Sequence, residues 1–160
     1  VSWLVVCYLG AAVCANLCVA AFGPSILWLT ALVMIPLDLT LRDALHERWR
    51  SRLWSRMAAL IAGGSLLTLV VNTAAWPVAV ASCAAFAVAG TVDALVYQRT
   101  PGTKLVRVNA SNAAGALCDS VVFQVVAWGA LDVSVVASQT AIKVIGSILC
   151  SLLLIRKVAP

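Results

Sequence analysis

Charge is what this chain has least of: 11% of its 160 residues are Asp, Glu, Lys or Arg, and only six are acidic. Soluble domains carry roughly a quarter of their residues as charge, so a surface facing water on all sides is excluded. The one histidine, His46, stands in a basic segment where a solvated side chain is the ordinary role. No zinc-type or Cys-x-x-Cys spacing joins the six cysteines, and no phosphate loop or nucleophile–base pattern occurs. An enzyme, a metal centre and a bound cofactor are therefore not expected. Cys7, Cys14, Cys18, Cys83, Cys118 and Cys150 all fall in apolar runs and read as small packing residues. Cys14 and Cys18 share a helix face, but no histidine or acid lies near to complete a metal set.

What the chain has instead is hydrophobicity, at 63% of residues and a mean hydropathy of +1.04. A span needs about 20 mainly apolar residues at about 1.5 Å rise each. Six such pieces are expected, at residues 1–22, 25–42, 57–75, 78–98, 109–131 and 133–155. The fold class expected is an all-α membrane protein, one transporter-like domain of six transmembrane helices. Gly23-Pro24, Trp76-Pro77 and Leu131-Asp132 punctuate the runs and predict tight turns within three helical hairpins. The first run, Val1 to Phe22, lacks the basic leader and polar break of a cleaved signal and reads as a retained span.

All but one of the eleven basic residues lie in two connecting segments and the C-terminal tail. Arg42, Arg48, Arg50, Arg52 and Arg56 fill the first segment, Arg99, Lys104 and Arg107 the second, and Arg156 and Lys157 the tail. The three tight turns hold neither Lys nor Arg. By the positive-inside rule both termini are expected in the cytoplasm, in a bacterial inner membrane. The net charge of +5 then describes loops at a lipid surface, and nucleic acid is not an expected partner. Asp43 to Arg56 alternates charge with Leu45, Trp49, Leu53 and Trp54, the pattern of a basic anchor or a short interfacial helix. Three helices per half would give two halves of inverted topology, a plan common among transporters.

The exceptional basic residue is Lys143, near the middle of the last run, and Asp119 stands near the middle of the run before it. A charge at mid-bilayer costs about 2.5 to 3.5 kcal/mol on insertion scales, so it is kept for a partner or a task. Each lies twelve residues from Leu131, which in an antiparallel hairpin puts both about 18 Å below the turn. An ion pair is expected, either as a simple lock between helices or as part of a binding site. Asn112 is two helical turns from Asp119 on the same face, Phe123 follows at i+4, and Gln139 precedes Lys143 by one turn. Ser111, Gly115 and Ser120 keep the region small, which also suits plain helix packing. Amides, a carboxylate, an ammonium and a ring together suit a flat polar heterocycle, bound by edge hydrogen bonds and stacking.

Asp38 precedes Arg42 by one turn, and Asp93 precedes Tyr97 by one turn. Either acid could relay a proton, form an inner gate, or simply sit near an interface where charge is cheap. Asn16 and Asn72 are lone amides that read as helix-packing hydrogen bonds.

The run Arg107-Val-Asn-Ala-Ser-Asn112, continuing through Asp119-Ser120 to Phe123, resembles the fifth-helix signature of the VUT, or queuosine precursor transporter, family. Gln139 and Lys143 are similar to the Gln and Lys of that family's last helix. Pro36 to Glu47 and Asp93 to Tyr97 look like its second- and fourth-helix patterns. The resemblance implies a six-helix importer of a 7-deazaguanine, with binding roles at Asn112, Asp119, Gln139 and Lys143 and with Arg107 at the cytoplasmic end. The partners it implies are a small purine-like substrate and the lipid bilayer, with a homo-oligomer left open. Two other readings stand beside it. One is a substrate-binding subunit of an ATP-energised vitamin importer, for which Ala11 and Ala15 would present a small-xxx-small face to a partner helix. The other is a structural or pore-forming membrane protein.

Overall fold

A computed structural model describes residues 3–34, 41, 45, 49 and 53–158. Among them there is no strand, and the chain is helical: α1 (Trp3–Phe22), α2 (described over residues 27–34), α3 (Leu53–Val71), α4 (Trp76–Arg99), α5 (Lys104–Trp128) and α6 (Val133–Val158). The stretches Trp3–Met34, Thr73–Arg99 and Leu105–Trp128 are long and apolar enough to cross a membrane, and Ser55–Val71 and Val133–Leu149 are shorter apolar helices.

The first of these stretches reverses direction. Gly23 takes φ of 66°, a left-handed conformation open to glycine, and Pro24 starts a single 3-10 turn over Gly23–Ile26. Val19 then packs on Leu27, while Tyr8, further back along α1, packs on Leu41 and Leu45. Only a hairpin satisfies both contacts.

The other turns are built from local chemistry. Asn72 ends α3, and its side-chain oxygen accepts from Ala74 N–H at 3.0 Å to cap a short 3-10 turn. The reversal therefore falls at Asn72–Ala75, and Trp76-Pro77 forms the first turn of α4, where proline's missing N–H costs nothing. Asn72 is exposed and serves this cap instead of the helix contact expected of it. Between α5 and α6, Gly129 closes α5 at φ of 64°, and the Asp132 carboxylate accepts from the N–H groups of Ser134 and Val135. Ser134 also donates its hydroxyl to Asp132, and these bonds hold the carboxyl below its usual range, led by the Ser134 hydroxyl.

Two boundaries differ from expectation. Helix α5 starts at Lys104, capped by Thr103, so most of the segment expected to be a loop at 99–108 is helix and Arg107 belongs to its first turns. Helix α3 begins at Leu53. Leu45 is fully buried against Tyr8, Leu41, Met57 and Leu60, and Arg56 lies over the Trp49 ring at 5.6 Å.

Residues flanking all three turns meet in one apolar cluster of Val19, Ile26, Leu27, Val78, Phe123 and Val135, so the turns share one end of the bundle. Phe22, Trp28, Trp76 and Trp128 are solvent-accessible near that end, where an interfacial belt of amphipathic rings belongs. Large apolar side chains also cover the outside between the ends; Leu117 and Ile145 are 48% and 58% exposed. In water such a surface would aggregate, whereas against lipid tails it needs no further partner. The protein is an integral membrane protein.

Candidate functional site

A cavity of about 150 Å³ lies inside the bundle, with walls from α1, α2, α4, α5 and α6. Its charged pole is the Asp119–Lys143 ion pair, which joins α5 to α6 as their equal distance from the turn requires. Lys143 also donates to Ser120 Oγ at 3.2 Å, and Ser120 in turn donates to the Ala116 carbonyl at 2.9 Å. An ammonium has three N–H donors, so one remains for a ligand. The pair is neither sealed nor solvated: the side chains are 17% and 20% exposed, for Lys143 and Asp119. An ion pair in that setting keeps most of its mutual attraction without the full desolvation cost of a dry core.

Gln139 and Phe123 also line the cavity, so four of the five expected binding residues converge there. Gln139 is 3% exposed, and its amide nitrogen has no hydrogen-bond partner among the described residues. A buried N–H left unpaired costs about 1 to 3 kcal/mol. Phe123 is held edge-on by Trp128, with ring centroids 5.5 Å apart.

The fifth, Asn112, does not line the cavity. Its amide nitrogen donates to Ser147 Oγ at 2.6 Å, which commits it to the α5–α6 contact. It shares the face of α5 that the seven-residue spacing implied, but it lies two turns beyond Asp119, past the cavity wall. The gate candidates lie elsewhere too. Arg107 is near the basic end, its Nε donating to the Tyr97 carbonyl at 3.0 Å and its guanidinium stacked 4.2 Å from the Tyr97 ring centroid. Asp93 lies at the α4–α5 contact beside Gly115, with one carboxyl oxygen buried and unpaired among the described residues. Asp38 and Arg42 fall outside the described residues.

As a cavity wall, the side formed by α1, α2 and α4 went unread in the sequence. Tyr8, Asn16, Thr30, Ser82 and Phe86 line it. Asn16 acts as the helix-packing amide expected, donating to Thr68 Oγ1 at 3.2 Å and accepting from Ser82 Oγ at 2.6 Å, yet it also faces the cavity. Ala11 and Ala15 line the cavity as well, so the small-residue pair that suggested a partner surface faces inward.

A membrane helix bundle around a largely apolar cavity with one charged pole has the form of a small-molecule site. The chain matches the family described as "Putative vitamin uptake transporter" over residues 4–156, and it belongs to that family. No curated protein and no solved structure matches the chain.

Proposed function

We propose that the protein imports a queuosine precursor, 7-cyano-7-deazaguanine or a related deazapurine, across a bacterial inner membrane. It moves the base by alternating access and performs no chemistry on it. The observation that carries this reading is the cavity itself, lined by the Asp119 carboxylate, the Lys143 ammonium, Gln139 and the rings of Phe86 and Phe123. A space of about 150 Å³ suits one or two fused rings; an apolar cavity of about that volume holds benzene. Larger vitamins would need the walls to separate. Family membership supports transport, and the resemblance of Arg107 to Phe123 and of Gln139 to Lys143 supports the deazapurine.

In this reading all six helices cross the bilayer and both termini are cytoplasmic, as the basic residues at the end opposite the turns favour. The apolar cluster of Val19, Leu27, Val78 and Phe123 then closes the outer side of the cavity. Arg107 on Tyr97 and the half-buried Asp93 lie on the inner side, the end through which the base is released to the cytoplasm. If protons drive the cycle, Asp119 is the carrier, its bond to Lys143 breaking when it is protonated.

The test is uptake of labelled 7-cyano-7-deazaguanine by cells without another importer of it. Asp119→Asn and Lys143→Ala are each expected to reduce uptake to background. Undiminished uptake in both would remove these residues from the site.

A further inference from the structure

The cavity has a second polar pole, which the charged pair does not explain. Asn16 on α1 and Ser82 on α4 both line the cavity and are both only 8% exposed, bonded to each other at 2.6 Å. Each stands seven residues from the turn next to its own helix, Asn16 from Gly23 and Ser82 from Ala75, and Gln139 stands seven from Asp132. Seven residues is about 10 Å of helix, so the three share one level, with Asp119 and Lys143 about a turn deeper.

Thr68 holds the Asn16 amide from behind. Its hydroxyl accepts from Asn16 Nδ2 and donates to the Gly64 carbonyl at 2.9 Å, which fixes the direction of both bonds. A primary amide has two N–H donors and a carbonyl that accepts twice. Thr68 uses one donor and Ser82 one acceptor site, leaving one N–H and one lone pair. That is one free donor and one free acceptor site on a clamped side chain, so little rotamer entropy is lost when it binds.

Resting on the deazapurine reading above, we infer that Asn16 is a subsite for the N3/N9–H edge of the free base and selects it over N9-substituted bases and nucleosides. Asp119 accepts best from adjacent donors, which a guanine-type ring offers at N1–H and its 2-amino group, while the Lys143 ammonium and Gln139 amide supply donors to its carbonyl. A ring gripped along that edge turns its five-membered side toward the α1–α4 wall. There N9–H donates to the Asn16 oxygen and N3 accepts from its amide. A methyl or ribose at N9 removes the donor and collides with the wall.

The experiment is calorimetric titration of the purified full chain with 7-cyano-7-deazaguanine and with its 9-methyl derivative. The wild-type protein is expected to favour the free base by at least about tenfold, the size of one hydrogen bond. Asn16→Leu should weaken the free base by about that factor and leave the methyl derivative, held off the amide by its own methyl, unchanged, so the preference falls by about tenfold. Asp119→Asn should weaken both ligands alike and retain it. Ser82→Ala, which frees the amide without removing it, should lower the preference by about threefold and serves where Asn16→Leu does not fold. An unchanged preference in the variants at 16 and 82, equal weakening of both ligands in Asn16→Leu, or equal wild-type affinity for the two bases overturns the subsite alone. Binding of neither base by the wild type overturns the deazapurine reading and the subsite with it.

Discussion

Helix α5 meets α4 through bare backbone and meets α6 through polar side chains. Against α4, a Cβ on Gly115 would lie 3.4 Å from the Ala89 carbonyl oxygen and 3.5 Å from the Asp93 Cβ, so the gap between the helices holds a methyl group and nothing larger. Among the described residues this is the most extensive contact between helices. Against α6, the contact is a ladder of polar groups: Asn112 to Ser147, Lys143 to Asp119 and Ser120, and the Gln124 side-chain oxygen accepting from Asp132 N–H at 2.9 Å. Close packing gains dispersion from many small contacts and has no alternative partner to exchange with. A polar ladder can trade one partner for another, including a ligand. The α5–α6 seam is thus the one suited to change during a cycle, and α4–α5 the one suited to move as a unit.

Breaking the ladder at its charged rung gives the largest effect. Lys143→Ala leaves Asp119 without its counter-ion, and thermal unfolding in detergent should show a loss of about 2 to 3 kcal/mol, below the range for a fully buried pair because the cavity admits some solvent. The double variant Asp119→Asn/Lys143→Gln removes both charges and should recover most of that stability without recovering uptake. A double variant that transports normally would mean the pair is only a lock between helices.

Overpacking the other seam comes next. Gly115→Leu forces a branched side chain against the Ala89 carbonyl and should cost about 1 to 3 kcal/mol, read in the same unfolding assay. Gly115→Ala, whose single methyl just fits, should cost far less. Should leucine be tolerated as well as alanine, the contrast between a tight and an exchangeable seam would fail.

How much of this was legible in the sequence follows the same division. The Asp119–Lys143 pair could be read because two residues equally far from a turn reach equal depth whatever the neighbouring helices do. The helical character of the apolar runs, as far as they are described, was legible for a similar reason, since backbone groups in lipid must bond within the segment. What depended on rotation between helices was not. Asn112 shares a face with Asp119, but whether that face opens on the cavity or on Ser147 is decided by how α6 is set against α5. Asn16 and Ser82 are far apart in sequence, and only the packing of α1 on α4 makes them one group. The start of α5 was misplaced because Lys104 and Arg107 look like loop residues by charge, although a helix end at an interface carries them readily once Tyr97 offers a ring and a carbonyl.

Asn112 supplies the smallest and sharpest test of the ladder. Its bond to Ser147 is between neutral groups, and interhelical bonds of this kind average about 0.6 kcal/mol because the separated helices find other partners. Asn112→Leu should therefore lower stability by about that amount, a shift small beside that of Lys143→Ala. Uptake of 7-cyano-7-deazaguanine should stay within about twofold of wild type, since the side chain reaches no cavity wall. A large loss of uptake with so small a loss of stability would put Asn112 back among the ligand-binding residues. It would also mean that the rung to Ser147 is one the ladder exchanges, with the amide turning from α6 to the substrate as the cavity changes shape.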